Sequence, residues 1–133
     1  MTKYLWVAAL LLGMSVVLTS CGPQREQASR SDDIAELGRG FVELLSKGDS
    51  ATAVQSFDAT MKQAMPAEKL AQAWTDLTGQ LGAFKEQAGV RTATEQGFEV
   101  AYVRCEFERG AADVKVVFDG AKRVSGLWFL PAR

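Results

Sequence analysis

The chain has 133 residues, 15 basic and 16 acidic side chains, two cysteines and no histidine. That length suits one domain, and a net charge of −1 offers no basic field to nucleic acid. Without histidine, Ser-His-Asp and Cys-His nucleophilic catalysis and His-ligated zinc are excluded, and the commonest proton carrier near neutral pH is missing.

In chain order, Lys3 precedes an uncharged run from Tyr4 to Leu18. At about 1.5 Å of rise per residue this run falls short of a bilayer core of about 30 Å. A positive residue, an apolar stretch and then small residues form the pattern of a secretory signal. The run closes on Leu18-Thr19-Ser20-Cys21, which resembles the lipobox of bacterial lipoproteins. An aliphatic residue and two small ones fit a narrow protease site, and the thiol accepts a diacylglyceryl group. The resemblance implies a signal peptide over residues 1–20, lipid attachment with palmitate at Cys21, and a chain held on the membrane of a bacterial cell envelope. Each buried methylene of such an anchor contributes about 0.8 kcal/mol. Gly22, in place of the aspartate that marks inner-membrane retention, points to the periplasmic side of the outer membrane in a Gram-negative cell. In a single-membrane cell the same anchor faces outward from the plasma membrane. With Cys21 lipidated, Cys105 has no intramolecular partner, and its place in an alternating apolar run predicts a small buried hydrophobe.

Residues 21–31 contain no large apolar side chain and are expected to form the lipidated cysteine and a flexible tether. The domain is expected over 32–133. Loss of residues 1–20 removes Lys3 and no acid, so the exported part carries a net −2. Ile34, Leu37, Phe41, Leu44 and Leu45 recur at helical spacing behind Asp32 and Asp33, and Lys47-Gly48 stops the helix. Asp49 or Ser50 caps a second helix bearing Ala53, Val54 and Phe57. Pro66 opens a third, with Leu70, Trp74, Leu77 and Leu81 along one stripe. After Gly82 the period falls to two, as in Ala112, Val114, Val116 and Phe118, and four strands are predicted near 84–94, 97–108, 111–119 and 122–130. Asp119-Gly120 is read as a tight hairpin turn. The segment 98–107 is apolar on both faces, as in a mid-sheet strand or one at a dimer contact. Three helices before an antiparallel meander give an α+β fold with the helices on one sheet face.

Phe41 to Asp49, Phe57-Asp58, Met65 to Leu70 with Trp74, Gly82-Ala-Phe84, Val117-Phe-Asp119 and Ser125 to Phe129 together resemble the family called domain of unknown function 3887, over about 34–131. The resemblance implies a nuclear transport factor 2-like cone, with helices in the concave face of a curved sheet. Family members often precede an α/β-hydrolase domain, which here is expected to be a separate protein. The family supplies no catalytic residues to carry over.

Gly48-Asp49-Ser50 has the start of a lipase nucleophile motif, but without a histidine base it reads as a helix stop followed by a cap. Glu99, Glu106 and Glu108 are candidates for paired acid-base carboxylates or a metal site, but Glu106 and Glu108 share a strand face with Arg104, and the acids read as a solvated charged face. Tyr102 and Asp76 are the nearest types to the tyrosine and acid of cone-fold isomerases and dehydratases. Trp74, Phe84, Trp128 and Phe129 are read as core, or as the lining of a pocket for a small apolar ligand. An exposed aromatic on the outer sheet face would instead favour a homodimer or another protein partner. The expected function is a non-catalytic binding or interaction domain of an envelope lipoprotein, with Cys21 as its lipid site and no catalytic residue, metal or cofactor. The alternatives are an isomerase-like or dehydratase-like enzyme in the cone, or an accessory subunit of a hydrolase.

Overall fold

A computed structural model describes residues 23–132. The first helix, α1, spans Pro23–Ser46 and buries Ile34, Phe41, Val42 and Leu45. It starts nine residues before Asp32, so the part of the expected flexible tether that lies among the described residues is helical. The reason is local: Gln24 to Ala28 are good helix formers, and proline suits a first helical position. Residues 24–30 are exposed all round.

The second expected helix breaks in two. Asp49 accepts from the Thr52 N–H at 3.1 Å and caps α2, Ser50–Ala53, which tightens into a 3-10 turn over Val54–Ser56. Phe57 leaves the helix to pair with Val124, and the Asp58 N–H donates to the Val124 carbonyl at 2.9 Å. Asp58 then caps a further helix, α3, Ala59–Ala64, by accepting from the Met61 N–H at 2.7 Å. The last helix, α4, covers Ala67–Leu81 and ends at Gly82. Four α-helices and a 3-10 turn therefore stand where three helices are expected, because Asp58 is a second cap within one apolar run.

The strands follow the alternation closely: β1 Phe84–Glu95, β2 Phe98–Phe107, β3 Gly110–Phe118 and β4 Val124–Pro131. They form one antiparallel sheet in the order β1-β2-β3-β4. Gln96 and Gly97, both at positive φ, make the two-residue turn after β1. The turn after β3 is longer than the expected Asp119-Gly120 hairpin. Asp119 accepts from the Ala121 and Arg123 N–H groups, each at 2.9 Å, and a five-residue loop delays β4 to Val124. Register shifts in β1 and between Val117 and Phe118 bend the sheet.

The fold is thus α+β, with helices over one face of a four-stranded antiparallel sheet. That face carries Ala101, Val103, Cys105 and Phe107 of β2 and Ala112, Val114, Val116 and Phe118 of β3, all buried. Helix α1 lies across β1 and β2. It approaches closely at Gly38, where a Cβ would stand 2.7 Å from that of Ala101. The Gln87 side chain donates to the Arg39 carbonyl at 3.0 Å and pins the same contact.

Candidate functional site

The helix-facing side is closed by rings. Trp74 of α4 packs on Phe84, Phe107 and Phe129 at centroid distances of 5.8, 5.7 and 6.2 Å, and Phe84 meets Phe107 edge-on at 5.7 Å. Three of the four aromatics singled out in the sequence gather here, joined by Phe107. Trp128 lies on the opposite side of the sheet, where its neighbours in register are Lys115 and, beyond it, Tyr102.

Tyr102 and Asp76 do not meet. Tyr102 is on the outer face, away from the helices, and donates its hydroxyl hydrogen to Glu95. Asp76 is exposed on α4, where it accepts from the Gln72 side chain at 2.7 Å. The three acids are also dispersed. Glu106 shares the outer face with Arg104, whereas Glu99 accepts from the Thr94 hydroxyl on the helix side. Glu108 lies past the end of β2 and accepts from the Ala83 N–H at 3.3 Å, so it leaves the strand face expected for it. Asp49 serves as a helix cap and Ser50 is buried, which gives Gly48-Asp49-Ser50 a structural role. Cys105 is buried, and burial, helped by the charges of Asp113 and Glu106, pushes its thiol pKa up to about 12. Cys21, Gly22 and the apolar run over 4–18 lie outside the described residues.

Two surface features remain. A groove of about 580 Å³ runs beside α1, floored by Leu37, Phe41, Leu44, Phe118 and Val124. It is bridged by the Lys122–Asp33 ion pair at 2.7 Å. The second feature is the outer sheet face. One row of paired residues crosses all four strands, Arg91-Tyr102-Lys115-Trp128, with cations and rings alternating. The Arg91 guanidinium stands 3.7 Å above the Tyr102 ring, and the Lys115 ammonium lies 5.6 Å from Tyr102 and 5.3 Å from Trp128. Each such contact contributes about 0.5–1 kcal/mol at an exposed site.

Glu95 ties this row together by accepting from Tyr102 and from Lys115, the latter at 3.3 Å. The Tyr102 hydrogen bond, then Lys115 and Arg91, hold its carboxyl below the usual range despite some desolvation. Desolvation works against the Lys115 ammonium, yet Glu95 and Tyr102 hold its pKa above the ordinary value. In the next row Arg104 pairs with Asp113, which raises the guanidinium pKa further. Every charge named on this face thus has an opposite charge or a ring beside it.

Trp128 is 51% exposed and Phe98 41%. Trp128 lies flat because position 126 is glycine: a Cβ there would stand 2.5 and 2.7 Å from two carbons of its six-membered ring. Between Phe98 and Trp128 a groove of about 350 Å³ runs over Val100 and Val117. The sequence pattern reads Trp128 and Phe129 alike, as core or pocket lining, and the structure departs from this at Trp128. The register shift at Val117/Phe118 resets the alternation and turns Trp128 out. Among the described residues no three His, Cys, Asp or Glu side chains are grouped to hold a metal ion. Among them, too, no helix is long and apolar enough to cross a membrane.

Residues 39–127 match the family described as "Protein of unknown function (DUF3887)". The chain is also similar to the Esterase EstD of Thermotoga maritima, 27% identical over 92 residues, which cover 69% of this chain and 22% of that protein. It therefore spans about a fifth of that curated relative's length. No solved structure matches.

Proposed function

The chain belongs to this family of unknown function, and we propose that it is a lipid-anchored protein of the bacterial cell envelope whose domain binds a partner and performs no catalysis. The single observation that carries this reading is Trp128, laid flat over Gly126 and half exposed on the outer sheet face. Half-exposed aromatics flanked by neutralised charges resemble the centre of a protein interface more than an ordinary solvated sheet face. The closed ring cluster around Trp74 supports the absence of a catalytic pocket. Helices on one face of a sheet bent by register shifts support the nuclear transport factor 2-like cone.

The anchor rests on the lipobox at residues 18–21. A helix that begins at Pro23 gives it a stiff stalk, because residues 24–30 add about 10 Å of exposed helix at 1.5 Å per residue. Similarity to an esterase over about a fifth of that protein favours a second reading, in which the domain serves an α/β-hydrolase as an accessory.

The test has two arms in the native envelope. Wild-type chain is expected to carry a lipid mass and partition into detergent, and Cys21→Ser to lose both. Chemical crosslinking is expected to capture adducts that Trp128→Ser abolishes. Hydrolase subunits among the adducts support the accessory reading. Adducts unaffected by the substitution refute the outer face as the binding surface.

A further inference from the structure

We infer that the occupant of the outer sheet face is a proline-rich segment of another protein, held as a polyproline II helix in the hollow between Phe98 and Trp128. The inference rests on the outer face being the binding surface, and it names the chemistry of what binds there. The hollow is floored by Val100, which is fully buried, and Val117, which is half-buried. Its floor is therefore short and apolar, and its two walls are exposed rings. The rings belong to β2 and β4, two strands apart. That is about 9.6 Å across the sheet, close to the 9.3 Å or so that one three-residue turn of polyproline II advances. Gly126 keeps the indole of Trp128 flat, so one ring face rests on the strand and the other is presented to a ligand. Proline-rich segments dock in aromatic-lined grooves of this kind.

Charge and hydrogen bonding select the same occupant. The one cation and the one carboxylate that line the hollow, Lys115 and Glu95, are paired at 3.3 Å and cancel. Glu95 has both oxygens engaged, one by the Tyr102 hydroxyl and the other by Lys115. The Ser125 hydroxyl donates down to the Val117 carbonyl at 3.4 Å. Donors remain for a ligand, in the indole N–H of Trp128 and the further hydrogens of the Lys115 ammonium. A polyproline II segment is the complement, because its carbonyls are bare and proline has no N–H to satisfy. A sugar brings hydroxyl hydrogens that need acceptors, and the carboxylate that could serve them is spent. An α-helix, about 10 Å across, is too wide for a hollow of about 350 Å³. An added β-strand pairs with a sheet edge, not with a sheet face.

Size sets the strength. The hollow lies at the small end for a ligand pocket and takes one turn of such a segment. The segment is already extended before it binds, so little ordering entropy opposes the contact. A single segment is expected to bind with a Kd of about 0.1–1 mM. Confinement of both proteins to one envelope raises their effective concentration into that range.

Titration of the full chain in detergent with decaproline tests this, read by the ¹⁹F resonances of 5-fluorotryptophan and by the anisotropy of a labelled peptide. Decaproline is expected to shift the Trp128 resonance, to leave that of Trp74 in place and to saturate by a few millimolar, on the order of ten times the Kd. A Gly-Ser peptide of the same length is expected to do neither. Trp128→Ser and Phe98→Ser, both at the surface and checked for folding by circular dichroism, are each expected to weaken binding about tenfold. Decaproline binding that ignores both substitutions overturns the hollow as the site. No decaproline binding, while Trp128→Ser still abolishes the envelope crosslinks, overturns the proline-rich occupant and leaves the binding face standing. A shift of Trp128 by soluble peptidoglycan fragments in place of decaproline overturns it in favour of a glycan. No decaproline binding and crosslinks that ignore Trp128→Ser overturn both the occupant and the face.

Discussion

Gly126→Ala is the sharpest probe of how Trp128 is held. A Cβ at position 126 would sit 2.5 Å from one ring carbon of Trp128 and 2.7 Å from another, so the indole must swing off the strand. About half of the side chain is covered, since 51% of the residue is exposed. With 150–250 Å² offered by a tryptophan side chain, about 100 Å² of contact is at stake, or about 2.5 kcal/mol at 25 cal/mol per Å². Alanine recovers about 0.5–1 kcal/mol relative to glycine in a strand. The net expectation is a loss of about 1–2 kcal/mol, which lowers Tm by about 5–10 °C in a domain of this size. In a Trp128→Ala background the sign reverses, and Gly126→Ala stabilises by about 0.5–1 kcal/mol. Thermal melts of the four chains close this cycle. The ¹⁹F resonance of 5-fluorotryptophan at position 128 reports the ring, and it should move toward the solvent-exposed shift in Gly126→Ala. Equal effects of Gly126→Ala in both backgrounds, with an unmoved resonance, would refute the stacked geometry.

Other substitutions probe the interior. Trp74→Ala removes three ring contacts at once and is expected to cost about 3–5 kcal/mol in urea unfolding; a loss below about 1 kcal/mol contradicts the closed cluster. Gly38→Ala forces its Cβ against that of Ala101 and should cost about 1–3 kcal/mol, most of it recovered by adding Ala101→Gly. Cys105 should resist thiol reagents in the native state. Its pKa rises on folding from 9.0 to about 12, so the folded state holds the proton more tightly. The associated stability is complete below pH 9 and is lost as pH climbs toward 12, by about 4 kcal/mol, a slope that Cys105→Ala should remove.

Much of the sheet was legible because its signal is local. The alternation over 112–118 and the two-sided apolar run over 98–107 mark β3 and β2 to within a residue or two. The departures share one cause, side chains that serve the backbone in ways periodicity does not record. Asp119 ties up two N–H groups and stretches a hairpin turn into a five-residue loop. Asp58 caps a helix in the middle of an apolar run and turns Phe57 into a strand partner. At the amino-terminal end of α1, polarity from Gln24 to Ser31 reads as a tether, yet helix propensity carries the helix back to Pro23.

The candidate site was legible only in part. Trp74, Phe84 and Phe129 were marked as core or pocket lining, and they do cluster. The outer row was invisible for a physical reason. Its four residues lie 11 to 13 positions apart along the chain, and only the register brings Arg91, Tyr102, Lys115 and Trp128 level. The shift at Val117/Phe118 also breaks the parity count that would otherwise have assigned Trp128 to a face.

Photocrosslinking in the native envelope tests the central claim most directly. Benzoylphenylalanine replaces Phe98, at the edge of the outer-face groove, or Thr75, exposed on α4. Position 98 is expected to yield a discrete adduct of two chains, and position 75 none. Adducts at position 75 with none at position 98 would contradict an outer face that binds a partner.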